Sequence, residues 1–219
     1  MDARDSATVF VAATSNKHKI EEIADVMRAF GITILSKDEA GVADFEIAES
    51  GATFEENAHI KAKAVSEHVD LPVIADDSGL MTDALDGAPG VYSARFSEKG
   101  TEHADAKSTD ADARNNAKLL ELMKDVPDGE RGARFAAVVE ILYPDGEMIV
   151  ARGECEGRIL REPRGMNGFG YDPLFVPRDF EAEGLTFAQL PPKEKNAISH
   201  RAKALAALRD QLAARKSPR

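Results

Sequence analysis

Cysteine is nearly absent. Cys155 stands alone in the chain, so no intrachain disulfide can form, and a reducing setting, the cytoplasm, is expected. Long apolar runs are missing too. No stretch approaches the ~20 residues needed to cross a bilayer, and the opening "MDARDSATVF" lacks the basic segment and apolar core of an export signal. No membrane partner is expected. Cations are in the minority: 28 Lys and Arg against 39 Asp and Glu leave a net charge of -11, which argues against a nucleic-acid-binding surface. A small anionic ligand stays open, because a few cations gathered in one place act locally while salt screens distant charges beyond about 8–10 Å. Neither the P-loop pattern nor G-x-G-x-x-G occurs. His18, His59, His68, His103 and His200 show no zinc-ligand spacing with Cys155, and that thiol has no identified base partner to make it a nucleophile.

What is present suits one α/β domain over residues 1–219, or two closely joined lobes: 219 residues, 43% of them hydrophobic, suffice for a substantial core. "TVFVAAT" (8–14) reads as a buried strand. "NKHKIEEIADVMRAFG" then changes to helical spacing, with Ile20, Ile23, Met27 and Phe30 on one face and Gly31 as its stop. "ITIL" (32–35) is a second strand. "TFEENAHIKAKAVSEHV" (53–69) is a helix with Thr53 and Glu56 as a capping box, and "PVIADD" is a strand ending on two aspartates. Gly87, Pro89, Gly90 and Gly100 mark turns in an irregular stretch from 86 to 110. Residues 112–126 form a helix, and two extended runs flank the hairpin turn "YPDGE". A final helix spans about 196–214, with Ile198, Ala202, Leu205, Leu208 and Leu212 inward. The economical architecture is a mixed sheet covered by helices.

Three places offer chemistry. The first strand–helix junction, "TSNKHK" (14–19), puts small polar groups and lysines at a helix N-terminus. That is either a phosphate site or a plain cap with solvated lysines. At Asp76 and Asp77, side-chain alternation sends the two carboxylates to opposite faces if the strand persists. An ionised carboxylate buried there needs hydrogen bonds, a cation or a metal such as Mg²⁺, which takes one or two carboxylates plus phosphate oxygens. The third place pairs the turn "GFGYDPLF" (168–175), whose Phe169 and Tyr171 suit stacking on a planar base, with "EKNAISHR" (194–201). There Lys195, His200 and Arg201 gather at a helix start, and His200 falls off the apolar stripe.

Together these stretches resemble the inosine triphosphate pyrophosphatase family, enzymes that clear non-canonical purine triphosphates. The match covers nearly the whole chain and keeps the motifs in order: "TSNKHKIEE" (14–22), "SGATFEENAHIKA" (50–62), "ADDSGLMTDALDGAPGVYSARF" (75–96), "FGYDPLF" (169–175) and "EKNAISHR" (194–201). The resemblance implies an elongated mixed central β-sheet flanked by helices, two lobes with a cleft between them, and a homodimer. It implies Mg²⁺-dependent hydrolysis of ITP, dITP or XTP to the monophosphate and pyrophosphate.

By the same resemblance Asp77 is the proton acceptor and a metal ligand, with Glu49 as the second metal carboxylate. Thr14, Ser15, Asn16, Lys17, His18 and Lys19 line the triphosphate site, and Ser78 contacts substrate. Phe169, Gly170, Tyr171 and Asp172, with Lys195, His200 and Arg201, complete the nucleotide pocket. Two departures stand out: Ala48 occupies a position that is often acidic in the family, and Ser15 one that is often Gly. The rival readings are a Maf-like pyrophosphatase acting on pyrimidine or modified nucleotides, and a nucleotide sensor that binds without hydrolysis.

Overall fold

The computed structural model describes residues 9–43, 45–98 and 110–216, so the Gly100 turn and His103 lie outside it. Strand β1 (Val9–Ala12) leads into helix α1 (Lys17–Arg28), on which Ile23 and Met27 are fully buried. Gly31 ends this segment with φ +70°, a left-handed conformation that glycine adopts without a Cβ clash. Strand β2 (Thr33–Leu35) and helix α2 (Phe54–Ser66) follow. Thr53 Oγ1 accepts from the Glu56 N–H at 3.1 Å, and the Glu56 carboxylate accepts from the Ala52 N–H at 2.6 Å, so the helix start is held from both sides.

Then come β3 (Val73–Thr82), a 3-10 segment at 90–98, α3 (Ala111–Leu122), β4 (Gly132–Leu142), β5 (Met148–Ile159), β6 (Phe175–Pro177), α4 (Pro192–Ile198) and α5 (His200–Lys216). The hairpin between β4 and β5 closes where Tyr143 N–H donates to Glu147 O at 2.9 Å. The six strands are ordered β2-β1-β3-β4-β5-β6. β1 pairs in parallel with β2 and β3, while β6 runs antiparallel to β5. The sheet is therefore mixed and carries helices, as the alternation of patterns predicts. Among the described residues no helix is long and apolar enough to cross a membrane.

Contacts divide the chain into two compact units. The first takes the chain up to Asp77, Ala137–Gly153 and the chain from Arg201 onward; the second takes Ser78–Ala136 and Glu154–His200. In the first unit, Phe10, Ala12, Ile74, Val139 and Ile141 pack with Ile23 and Met27 of α1 and Leu205, Leu208 and Leu212 of α5. Val11, Val73 and Ala75 instead pack with Ala62 and Val65 of α2. The second unit has its own core around Leu80, Leu119, Met123, Phe135, Phe175 and Phe187. Each such side chain contributes about 1.5–3 kcal/mol through burial.

Two elements differ from the sequence expectation. β3 does not end at the aspartates but continues to Thr82, because Leu80 and Thr82 are buried beyond them and both acids find cationic partners. The final helix is two helices. Ser199 has φ -63° and ψ 155°, extended backbone that separates α4 from α5. This resets the 100° phase on which the outward placement of His200 depends.

Candidate active site

β3 sends its two acids to different helices. Ile74 and Asp76 share the face that packs with α1 and α5, and Ala75 and Asp77 the face that packs with α2. On the first face Asp76 is fully buried. It forms an ion pair with Lys19 of α1, and its Oδ2 accepts from Arg201 Nε of α5 at 3.1 Å. Arg201 Nη1 continues to Glu22 Oε2 of α1 at 2.7 Å. Burial alone would push the Asp76 carboxyl up, but Arg201, Lys19 and Lys61 outweigh it and hold it well below the carboxylate range. Burial pulls Arg201 down in turn, and Asp76 and Glu22 more than reverse that. Asp76 is a locked anion.

On the other face the balance differs. Asp77 Oδ1 accepts from Lys61 Nζ at 2.7 Å and Oδ2 from Asn57 Nδ2 at 3.3 Å. Lys61 and Asn57 lie four residues apart, on one side of α2. The same ammonium stands 3.1 Å from Glu49 Oε1. Burial lowers the Lys61 pKa, yet Asp77, Glu49 and Asp76 together raise it above the ordinary value. Asp77 is raised as well: burial dominates, the Glu49 charge adds to it, and Lys61 offsets only part. One cation shared among several acids explains both directions, since it gains from each while each acid receives only a share.

At the start of α1, Thr14 Oγ1 accepts from the Asn16 N–H at 3.2 Å, and Asn16 Oδ1 accepts from the Lys19 N–H at 3.3 Å. Asn16 therefore caps a helix N-terminus, where backbone N–H groups favour an anion. Ser15, Asn16 and Lys17 are exposed and Lys19 half-buried. The backbone of His18 lies in the helix; its side chain is outside the described set. Ser78 is half-buried on β3, just past the acids.

The second unit holds the aromatic turn. Asp172 Oδ2 accepts from Lys195 Nζ at 2.5 Å and from the Phe169 N–H at 3.0 Å. The Lys195 ammonium sits 4.8 Å from the Phe169 ring centroid and 5.6 Å from that of Phe187, so the ring of Phe169 is steadied by a cation on one side. Phe169 is 41% exposed, unusual for a Phe in such a setting. Tyr171 is buried, and its OH donates to Ser93 O at 2.9 Å. Burial drives this phenol well above its usual pKa, which keeps it a neutral donor. His200 is buried too, stacked on Phe135 with centroids 4.9 Å apart. That reverses the sequence expectation of a histidine off the apolar stripe, for the helix-break reason given above.

In the first unit, then, Thr14 to Lys19, Glu49, Asp77 and Arg201 are gathered; Ser78, Phe169 to Asp172, Lys195 and His200 belong to the second. Lys61 and Asn57 have no role in the sequence-based assignment, although Asn57–Lys61 at i, i+4 on an alanine-rich face is a readable signal. Glu22, the far partner of Arg201, carries no such signal, because its partner is 179 residues away.

Fold and charge pattern define an α/β protein with adjacent carboxylates set in opposed electrostatic environments beside a capped helix N-terminus. The chain belongs to the Ham1 family, whose family model matches residues 10–211. It is 49% identical over 207 residues to a dITP/XTP pyrophosphatase of Haemophilus ducreyi, covering 94% of this chain and 98% of that protein. It is 50% identical over 195 residues to a dITP/XTP pyrophosphatase of Nitratidesulfovibrio vulgaris, covering 89% and 91%. Among solved structures, the Staphylococcus aureus Ham1 protein matches with a TM-score of 0.79 at 35% identity, covering 95% of this chain and 100% of that one. The family resemblance carried by the five motifs is borne out.

Proposed function

We propose that the protein hydrolyses non-canonical purine nucleoside triphosphates, ITP, dITP and XTP, to the nucleoside monophosphate and pyrophosphate. The observation that carries this reading is the setting of Asp77: a carboxylate raised by burial, oriented by Lys61 and Asn57, in a chain about half identical to proteins named dITP/XTP pyrophosphatases. Asp77 is the general base, since a carboxylate whose pKa is raised by burial accepts a proton better. The water oxygen bonds to phosphorus, and the α–β anhydride bond breaks. Its electron pair leaves on pyrophosphate, and the water proton passes to Asp77.

The donor set fits Mg²⁺. Asp77 and Glu49 both stand within 3.1 Å of one lysine nitrogen, and two carboxylates completed by phosphate oxygens are what this hard cation prefers. When bound, Mg²⁺ neutralises phosphate charge and polarises the phosphorus centre. Lys61 fixes the two acids, and the start of α1 with Lys17 and Lys19 stabilises phosphate charge. In the second unit, Phe169 offers a stacking surface, and Asp172 with Lys195 holds it in place. Choice of hypoxanthine or xanthine over adenine rests on the 6-oxo group, which accepts a hydrogen bond where adenine donates one. The reading goes with a homodimer, as the family resemblance implies, and with the cytoplasm, as the lone Cys155 suggests.

The test is pyrophosphate release from ITP, XTP, dITP, GTP, ATP, UTP and dTTP, with Mg²⁺ and with EDTA. Metal-dependent release favouring ITP, dITP and XTP is expected. Release confined to UTP and dTTP would replace the reading with the Maf-like one. Binding of ITP without release from any triphosphate would make the protein a sensor.

A further inference from the structure

Helix α3 contributes nothing to the residues assigned so far, yet two of its side chains close on a single residue of the aromatic turn. Asp112 Oδ2 accepts from the Gly170 N–H at 2.6 Å, and Asn116 Nδ2 donates to the Gly170 carbonyl at 2.9 Å. The pair is spaced i, i+4, so both reach from one side of the helix. Gly170 has φ +59°, a left-handed conformation that glycine adopts without a Cβ clash. Next in sequence, Asn115 anchors the helix in another direction. Its Nδ2 donates to Ser93 O at 3.3 Å and Ala94 O at 3.1 Å, and its Oδ1 accepts from the Ser97 N–H at 2.8 Å. Ser93 O is also the acceptor of the Tyr171 hydroxyl. The start of α3 is thus tied to the 3-10 segment and to the turn by separate sets of bonds.

We infer that Asp112 and Asn116 are positioning residues for nucleotide recognition. By fixing the N–H and the carbonyl of Gly170, one in each of its flanking peptide groups, they set the placement of Phe169 on one side of it and Tyr171 on the other. The inference rests on the reading that this turn receives the purine base. Asp172 and Lys195 hold the Phe169 side of the turn; without the α3 clamp both peptide groups flanking Gly170 are free to rotate, which moves the ring without touching Asp77. The cost therefore falls on binding and not on the chemical step.

The experiment compares Asp112→Ala, Asp112→Asn and Asn116→Ala with the wild-type protein for dITP hydrolysis, alongside amide NMR of Gly170. Asp112→Ala is expected to raise KM about tenfold with kcat within about twofold, as for loss of one charge-assisted hydrogen bond. Asp112→Asn keeps an oxygen facing the Gly170 N–H and should return KM to within about threefold of wild type. The Gly170 amide, downfield and slow to exchange in the wild type, should lose both properties in Asp112→Ala. Unchanged KM in Asp112→Ala, or a fall in kcat at constant KM that Asp112→Asn does not rescue, overturns the inference. A wild-type protein inactive on every triphosphate sinks the functional reading instead. In that case the Gly170 signal still reports on the clamp: an amide unaltered by Asp112→Ala refutes it.

Discussion

Lys61 donates to Asp77 and lies within ion-pair distance of Glu49, so burial and charged neighbours of both signs act on the protonation of Asp77. Lys61 lowers the Asp77 pKa and Glu49 raises it, while burial exceeds both. On the proposed role of Asp77 as general base, which needs the ionised carboxylate, kcat/KM falls as pH drops through the Asp77 value. Removing the ammonium in Lys61→Met should move this acid limb to higher pH. Removing the negative charge in Glu49→Gln should move it to lower pH. Profiles of kcat/KM for dITP check both, and shifts of the same sign would contradict the arrangement. At this scale the sequence was half legible. Two adjacent aspartates at a strand told of an electrostatic problem, and alternation told that its solutions lie on different faces. Lys61 went unread because a lysine on a helix is usually solvated, and only tertiary packing shows that this one is buried among acids.

Asp76 belongs to the scale of elements, because its partners tie β3 to α1 and α5. Breaking a buried, hydrogen-bonded ion pair by removing one partner costs about 3–5 kcal/mol. Asp76→Asn, which strips charge from the site facing Lys19 and Arg201, should lower unfolding free energy at neutral pH by about 3 kcal/mol. Because the folded pKa is depressed, this stabilisation is complete above the unfolded carboxylate value of about 3.9 and fades as pH falls below it. Urea titrations across that acid range should show a wild-type slope that Asp76→Asn largely loses; parallel slopes would exclude the Asp76 ion pairs with Lys19 and Arg201 as its source. Element boundaries were readable where capping chemistry is local, as at Thr53 and Gly31. They failed at Ser199, where "NAISHRAKAL" has unbroken helical spacing. His200 leaves the expected phase because it stacks on Phe135, 65 residues earlier, which no local pattern encodes.

For the molecule as a whole, a net charge of -11 coexists with a cluster in which Lys19, Lys61 and Arg201 face Asp76, Asp77, Glu49 and Glu22. The mixed sheet, its helices and the family were legible from pattern and motif order; the division of the aspartates' partners among three helices was not, because it depends on contacts between segments up to 179 residues apart. The most direct test is turnover of dITP by Asp77→Asn against wild type, with pyrophosphate and monophosphate measured together and folding checked by circular dichroism. The wild type should release the two products in equal amounts. The variant should fold, still bind dITP, and turn over at least about a hundredfold more slowly, as for loss of a general base. A folded Asp77→Asn protein that kept most of the wild-type kcat would remove Asp77 from the chemistry.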